Sequence, residues 1–131
     1  MPVGTFILRK YHSKQIDLPA AQLLVTGDLT VNVTRPNIYS TYVLTKGSAA
    51  AIVLPAPTAG KPSAGGQDGF QIKFIAGSAQ AHVVTQTTPG FNGGGSGVDV
   101  ATFGGALGDN LVLEAYNGAW YTVSTRNVTL G

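Results

Sequence analysis

Apolar and polar residues alternate along most of this chain, and the alternation is the main guide to its fold. The cleanest stretch is Leu29–Thr34, where Leu and Val side chains point one way and Thr and Asn side chains the other. Residues 70–75 and 111–116 follow the same period of two, which is typical of half-buried strands. The spacing of turn residues between such stretches predicts about seven to nine short strands and no helix of normal length.

Two turn signals indicate how neighbouring strands connect. Asn117-Gly118 is the strongest, because both central residues of a type I′ hairpin turn need a positive φ. Gly77-Ser78 separates strand patterns at 70–75 and 79–86 and predicts a second hairpin by its spacing. The fold is therefore predicted as all-β, with a single antiparallel sandwich, jelly-roll or barrel-like domain and an extended N-terminal arm.

The core is expected to bring distant segments together. Residues 29–34 and 50–54 are plausible partners within one core, and Trp120 is expected to be buried there. The segment 55–69 is rich in Pro, Gly, Ala and Ser, which favours a long surface loop. The glycine run 93–97 has no lysine after it, so we expect positive φ angles or tight packing there and not a phosphate site.

The first 28 residues differ from the rest of the chain. Thr5–Leu8 favours a strand and residues 19–24 could form one helical turn, but no period persists. Large apolar residues argue against a disordered tail. We therefore expect a docking arm at residues 1–28, followed by a β domain at 29–131. The arm could dock on the body, on a sister subunit or on another protein.

Charge is scarce in this chain. Of its 131 residues, 44% are hydrophobic and only 11% are charged, against about 25% in an average globular protein. Interface cores are depleted of charge, so this composition favours burial in an assembly; a secreted or virion protein with a Thr/Asn-rich face is the alternative. A net charge of +2 is too small to indicate nucleic-acid binding.

Neither a cofactor nor a metal is expected. The chain has no cysteine, which excludes disulfides and thiolate metal sites. His12 and His82 are far apart in sequence. Asp68, Asp99 and Asp109 each sit at a glycine turn, where aspartate is common, although they could in principle surround a calcium ion.

Catalysis and membrane insertion are not expected either. The chain lacks a Gly-x-Ser-x-Gly elbow before a helix, and Glu114 is its only glutamate, a poor supply for a carboxylate pair. A glycan hydrolase is the weakest alternative. No apolar run approaches the roughly 18 residues of a membrane helix. No secretory leader is visible, so synthesis in a cytoplasm is expected.

Five short segments resemble a set found in virion proteins of tailed bacteriophages, the head decoration or head fibre proteins. These segments are Asp68–Phe70, Ala79–Thr85, Thr88–Gly95, Ala101–Ala106 and Ala115–Trp120. Their order and spacing resemble the family over residues 66–130, about half of the chain. The resemblance is weaker over residues 1–65.

The resemblance implies a homotrimeric capsid decoration, or cement, protein that binds the major capsid protein on the capsid exterior and stabilises the shell. It implies a structural role in the virion with no enzyme activity, nucleic acid or membrane, after synthesis in the host cytoplasm. The arm would then hold the shell through Phe6, Ile7, Leu8, Arg9, Lys10, Tyr11 and Lys14. Its cations predict salt-sensitive binding to an acidic capsid surface.

The rival hypothesis is the receptor-binding tip of a tail fibre or spike. Such a tip would also be an all-β trimer, but its loops and aromatic residues would contact a host surface glycan. Six aromatic residues could line a glycan site, although Trp and Tyr near an Asn-Gly hairpin are more often core or interface anchors. They are Tyr11, Tyr39, Tyr42, Tyr116, Trp120 and Tyr121.

Overall fold

The computed structural model describes residues 21–34 and 39–131, and their regular structure is almost entirely β. Within these residues the strands are β1 Gln22–Val25, β2 Leu29–Thr30, β3 Thr41–Leu44, β4 Ala51–Leu54, β5 Gln71–Ala76, β6 Val83–Gln86, β7 Val100–Phe103, β8 Asn110–Tyr116, β9 Ala119–Arg126 and β10 Val128–Leu130. Short 3₁₀ turns lie at Pro62–Ala64, Phe91–Gly93 and Gly95–Val98. The all-β prediction is confirmed.

The strands form two mixed sheets. The first sheet has the order β1-β3-β5-β8-β9, and the second has the order β10-β7-β6-β4-β2. In the first sheet β1, β3 and β5 pair in parallel, and β8 and β9 are added antiparallel. In the second sheet β2, β4 and β6 are parallel, whereas β7 and β10 are antiparallel. Among the described strands neither sheet closes on itself, because each ends in two different edge strands.

The parallel strands arise because the chain alternates between the sheets. Coil 1 (residues 22–30) contains β1 and β2, coil 2 (41–54) contains β3 and β4, and coil 3 (71–86) contains β5 and β6. Each coil places one strand in each sheet and stacks on the next coil. Thr41 pairs with Lys73 in the first sheet and Ala51 with Val83 in the second.

The prediction of an antiparallel domain is wrong for these six strands. The segment Gly77–His82 is not a hairpin turn, because β5 lies in the first sheet and β6 in the second. It is a corner that carries the chain across the core. Alternation of apolar residues records which face of a strand is buried but not the direction of its neighbour. A hairpin turn and a corner therefore leave the same pattern in the sequence.

The core lies between the sheets, and the other fold predictions made for it are confirmed. Trp120 is fully buried, and its Nε1–H donates to the Pro55 carbonyl oxygen at 2.9 Å. Leu29 pairs with Ile52 in the second sheet. The Asn117-Gly118 turn joins β8 to β9 with φ angles of 49° and 83°.

The N-terminal arm can be followed only in part. Residues 22–25 fall within the predicted arm, and they form β1 on the edge of the first sheet. Residues 1–20 lie outside the described residues, so the boundary between arm and domain stays a prediction. Residues 55–69 form the expected loop, which contains one 3₁₀ turn and no described strand.

Candidate functional site: the outer faces and corners of the sheets

The outer face of the second sheet carries only threonine, valine and alanine. Inward residues of its strands are buried and outward residues are not, so the register identifies the outward set. Paired neighbours across the sheet share a face. The outward set, called the Thr/Val face here, comprises Thr30, Ala51, Val53, Val83, Thr85, Val100, Thr102 and Thr129. None of these eight side chains is charged.

This face exposes apolar surface on a regular, rigid support. Val53 is 37% exposed, and it lies between Thr30 and Thr85 in one row across the strands. β-Branched side chains are stiff and pack well on a pleated surface. Such a face can bind by close packing against another sheet or a flat protein surface.

The outer face of the first sheet is different, because it mixes apolar and charged side chains. Leu24, Val43 and Ile75 form one outward row across β1, β3 and β5. Lys73 lies in the next row, and Glu114 accepts a hydrogen bond from Gln71 Nε2 at 2.9 Å. A charged face of this kind is the usual solvent-exposed side of a sheet.

Two tyrosines form an exposed aromatic pair at the hairpin end of the first sheet. Tyr116 is 59% exposed, and its ring centroid lies 5.8 Å from that of Tyr121. Asn92 Oδ1 accepts from the Thr122 backbone N–H at 2.9 Å, which fixes the glycine-rich turn against β9. Aromatic rings with an apolar body and a polar tip are suited to binding at a protein surface.

The corner of coil 3 contains a buried histidine. Ala50 N–H donates to His82 Nδ1 at 3.0 Å, so the ring proton belongs on Nε2. Nε2 lies 3.1 Å from Ser78 Oγ and 3.3 Å from the Ser78 carbonyl oxygen. Ser78 Oγ in turn donates to the Lys46 carbonyl oxygen at 2.6 Å. The neutral ring therefore joins the corners of coils 2 and 3.

Burial is the main reason that the pKa of His82 lies below its usual value. The hydrogen bond with the Ser78 backbone opposes this shift, while the charge of Lys46 adds to it. A proton on Nδ1 would also face the Ala50 N–H and break that hydrogen bond. The geometry and the pKa direction thus agree that the ring is neutral, which gives it a structural role in this corner.

Coils 1 and 2 are joined by a similar but exposed contact. Asp28 Oδ1 accepts from Ala51 N–H at 2.9 Å and from Lys46 Nζ at 2.9 Å. The hydrogen bond from Ala51 and then the Lys46 contact hold the pKa of Asp28 below its usual value. Since both side chains reach solvent, this ion pair contributes little stability.

Asp109 anchors the connection between β7 and β8. Burial alone would raise its pKa, but hydrogen bonds from Ala106 N–H, the Asn127 side chain and Gly105 N–H outweigh burial, so the pKa is lowered. Asn127 Nδ2 lies 3.1 Å from both carboxylate oxygens. The carboxylate is used by the fold and is not free to bind a cation.

Asp68 and Gln67 secure the long loop in the same way. Asp68 Oδ1 accepts from Asn117 N–H at 2.9 Å and from Gly60 N–H at 3.2 Å. The Gln67 side chain accepts from Thr58 N–H at 2.7 Å and donates to the Val33 carbonyl oxygen. These contacts make residues 55–69 an ordered loop held against the β8–β9 turn.

The predicted capsid-binding residues lie outside the described residues. These are Phe6, Ile7, Leu8, Arg9, Lys10, Tyr11 and Lys14, so their role stays a prediction. Within residues 21–34 and 39–131, no three His, Asp or Glu side chains lie together as a metal site would require. No helix in the same ranges is long and apolar enough to cross a membrane.

The sequence did not point to the Thr/Val face. Its eight residues come from five strands that are far apart in the chain, and each strand alone shows only ordinary alternation. The shortage of charge in the whole chain was the available signal, but overall composition does not locate an interface on the fold. Comparison with known proteins adds no relative, since neither a protein-family model nor a curated protein matches the chain.

Proposed function

We propose that the protein is a structural component of a tailed-phage virion that decorates the outer capsid shell as a homotrimer. The observation that carries this proposal is the Thr/Val face, in which none of the eight outward residues of the described strands of the second sheet is charged. The phage context comes from the family resemblance of residues 66–130. The role is one of binding and reinforcement, with the major capsid protein as partner.

The trimer is implied by the family resemblance, and the uncharged face is compatible with it. Around a threefold axis, each residue near the axis meets its own two copies. A charged side chain there would face two like charges in a dry interface, which is costly. Three Thr/Val faces can turn towards the axis without this repulsion, because none of their eight residues is charged. The charged first sheet then faces outward.

Contact with the capsid is assigned to the N-terminal residues. Arg9, Lys10 and Lys14 lie within six positions of one another and no acid precedes Asp17, so this part of the chain attracts an acidic surface. Many copies on one shell raise the effective concentration, and modest contacts per copy are then sufficient. We expect binding to the shell to weaken as the ionic strength rises.

The test of decoration is binding to virions that were produced without the protein. Purified protein added back should bind at many copies per particle and should raise the temperature at which the particles release DNA. A charge-removed variant with Arg9, Lys10 and Lys14 changed to Gln should bind more weakly and lose its salt dependence. Absence of binding by the unmodified protein would contradict the proposal.

One observation favours the tail-fibre alternative. The exposed Tyr116–Tyr121 pair is placed at a hairpin end, where a host glycan could stack on it. That function predicts a few copies per virion and binding of the purified trimer to a glycan array. It also predicts that Tyr116→Ala abolishes glycan binding, whereas the decoration function predicts no glycan binding by either protein.

A further inference from the structure

Coil 1 is an open end of the stack. β1 is an edge of the first sheet and β2 is an edge of the second, so within the described residues both sheets stop at the same coil. Edge strands carry unpaired backbone N–H and C=O groups that can accept another strand. In coils 2 and 3 a neighbouring coil covers each strand, whereas the outer edge of coil 1 has no described partner.

Two of the inward side chains of coil 1 are also incompletely covered, although Val25 is buried. Leu23 and Leu29 point into the core but are only partly buried, although their partners Tyr42 and Ile52 are each 1% exposed. A hollow of about 300 Å³ is lined by residues 23–29. All of these residues belong to coil 1, so the hollow lies on the side of coil 1 that is away from coil 2.

The N-terminal sequence repeats the sequence of coil 2. Residues 5–20 read TFILRKYHSKQIDLPA, and residues 41–56 read TYVLTKGSAAAIVLPA. Seven of the sixteen aligned positions are identical, namely Thr5/Thr41, Leu8/Leu44, Lys10/Lys46, Ile16/Ile52, Leu18/Leu54, Pro19/Pro55 and Ala20/Ala56. Two further positions exchange Phe for Tyr and Ile for Val. An internal repeat is the sequence signature of stacked structural units.

The spacing of the repeat matches the coil geometry. Ala51 follows Thr41 by ten positions, and Val83 follows Lys73 by ten positions; these pairs mark equivalent points in coils 2 and 3. Gln15 follows Thr5 by the same ten positions. Residues 5–18 therefore match the length of the strand–corner–strand unit in coils 2 and 3.

The inward and outward positions match as well. Phe6 and Leu8 align with Tyr42 and Leu44, which are 1% and 0% exposed. Ile16 and Leu18 align with Ile52 and Leu54, which are 1% and 0% exposed. Within residues 15–18, the polar residues fall where coil 2 is exposed: Gln15 and Asp17 align with Ala51 and Val53.

We propose that residues 5–18 form an N-terminal coil that pairs in parallel with the open edge of coil 1 and covers its hollow. Thr5–Leu8 pairs with β1, with Ile7 opposite Leu24, and Gln15–Leu18 pairs with β2. The occupant is the chain's own segment. This inference concerns the fold of the segment and does not depend on the proposed function.

The connection to coil 1 is long enough for the same chain to supply this coil. Only residues 19–21 lie between Leu18 and Gln22. Four Cα-to-Cα steps reach about 13 Å, and the sheets lie about 10 Å apart with about 4.8 Å between neighbouring strands. The corner of coil 1, residues 26–28, crosses between the same sheets with an equally short connection.

The N-terminal coil also explains where the charges of this segment lie. Arg9, Lys10 and Lys14 align with the corner of coil 2, and Asp17 aligns with an exposed position. Lys14 departs from the repeat, because it replaces Ala50, which is buried under coil 3. The corresponding neighbour of the N-terminal coil is coil 1, whose corner at residues 26–28 is shorter than the corner of coil 3 at residues 77–82 and leaves more room for a lysine side chain. Charged terminal units protect an edge against uncontrolled strand addition.

The proposal narrows the set of residues that can touch a capsid. Phe6 and Leu8 are placed in the core and cannot contact a partner. The basic corner at residues 9–14 remains available, as does the outward Ile7. A flexible tether, by contrast, would use all of these residues on the partner.

A cysteine pair tests the register directly, because the chain has no native cysteine. Ile7→Cys with Leu24→Cys should form a disulfide within one chain, since adjacent parallel strands bring Cα atoms within the required 4.4–6.8 Å. Leu24→Cys with Val43→Cys, whose pairing is known, is the positive control. Ile7→Cys with Gln22→Cys is the negative control, because the pair is two residues out of register on the same face.

Non-reducing electrophoresis and peptide mass spectrometry measure the outcome. Formation within one chain of the Ile7–Leu24 cross-link, at the yield of the positive control, is the expected result. A cross-link between chains would overturn the assignment to the chain's own segment. Absence of the cross-link, or equal yield in the negative control, would overturn the coil itself.

Thermal unfolding supplies a second, independent readout. Phe6→Ser and Leu8→Ser should each lower Tm by roughly 10 °C, because they remove buried apolar side chains. Ile7→Ser is the matched control and should change Tm by less than about 2 °C. Unchanged Tm in the Phe6 and Leu8 variants would contradict the proposal. Virion binding is scored separately on the unmodified protein: if the cross-link forms in the cysteine variant but the unmodified protein does not bind virions, the result counts against decoration alone.

Discussion

The two sheets use the same alternation of residues in opposite ways. The first sheet places Tyr42, Phe74 and Trp120 in the core and charged residues outside, as a water-exposed sheet does. The second sheet buries a polar side chain, Gln86, and its outer Thr/Val face has no charge. The outer face of the first sheet thus combines charged residues with exposed apolar ones such as Leu24, whereas the Thr/Val face of the second sheet has no charged residue.

We expect the interior of the first sheet to determine folding and the Thr/Val face to determine association. Changes inside the first sheet are expected to reduce the free energy of unfolding, and changes on the Thr/Val face are expected to reduce association while the fold persists. Because each sheet has inward and outward positions of similar size, matched substitutions can test this separation.

The largest effect is expected for Trp120→Ala. Trp120 is fully buried and its Nε1–H is bonded to Pro55 across the layers. Loss of the side chain should lower the free energy of unfolding by about 3–5 kcal/mol. Val84→Ala, an inward change in the second sheet, should cost about 2 kcal/mol. Urea unfolding followed by circular dichroism measures both losses, and a loss below about 1 kcal/mol for Trp120→Ala would contradict its place in the core.

Next in size is the effect of a charge on each outer face. Thr85→Lys on the Thr/Val face should weaken trimer formation roughly a hundredfold, about 2.8 kcal/mol, because each lysine meets two copies of itself. Val43→Lys on the first sheet is the matched control and should leave the trimer intact. Sedimentation equilibrium should give three times the 13.4 kDa chain mass for the control and a lower mass for Thr85→Lys. Equal association of both variants would show that the Thr/Val face is not the subunit interface.

A smaller effect is expected for Gln86→Leu. Gln86 Oε1 accepts from the buried Trp120 backbone N–H at 3.3 Å, while its Nε2 has no partner among the described residues. Leucine removes the unpaired Nε2 but leaves the Trp120 N–H without an acceptor, which costs about 1–2 kcal/mol. Urea unfolding at neutral pH checks this. A gain in stability would mean that the unpaired Nε2 is the more costly of the two groups.

The smallest effect is a pH dependence that originates at the corner of coil 3. The pKa of folded His82 is lowered from 6.5, so the unfolded chain takes up the proton first. The contribution of His82 is thus complete above pH 6.5 and is lost as the pH falls towards the folded pKa. Unfolding at pH 7.5 and pH 5.0 should show lower stability at pH 5.0.

His82→Asn is the control for this pH effect, because its Oδ1 can accept from Ala50 N–H without titrating. The variant should lose most of the pH dependence between pH 7.5 and 5.0. Asp28 and Asp109 do not contribute to the change in stability between pH 7.5 and 5.0, because their pKa values are lowered from 3.8 and lie below this range. An unchanged pH dependence in His82→Asn would assign it to another group.

Local features were predictable from the sequence, but the path of the chain was not. Asn117-Gly118 could be placed because its turn needs positive φ at adjacent residues, and Trp120 because a large aromatic side chain is costly to expose. Gly77–His82 could not be recognised as a corner, because its direction depends on contacts with Ala50 and Lys46 in another coil.

The sequence predicted that the protein has an interface but not where that interface lies. The low charge indicated an interface. Its location on the Thr/Val face can be recognised only when the order of the strands in the second sheet is known, namely β10-β7-β6-β4-β2. The repeat between residues 5–20 and 41–56 is present in the sequence, yet its structural meaning depends on the observed bounds of coil 2.

The most direct measurement is electron cryomicroscopy of virions that carry the protein. The proposed function predicts density on the capsid exterior in groups of three, with the Thr/Val faces turned towards each threefold axis and the first sheets facing solvent. Density confined to the tail tip, or trimers with the Thr/Val faces turned to solvent, would contradict it.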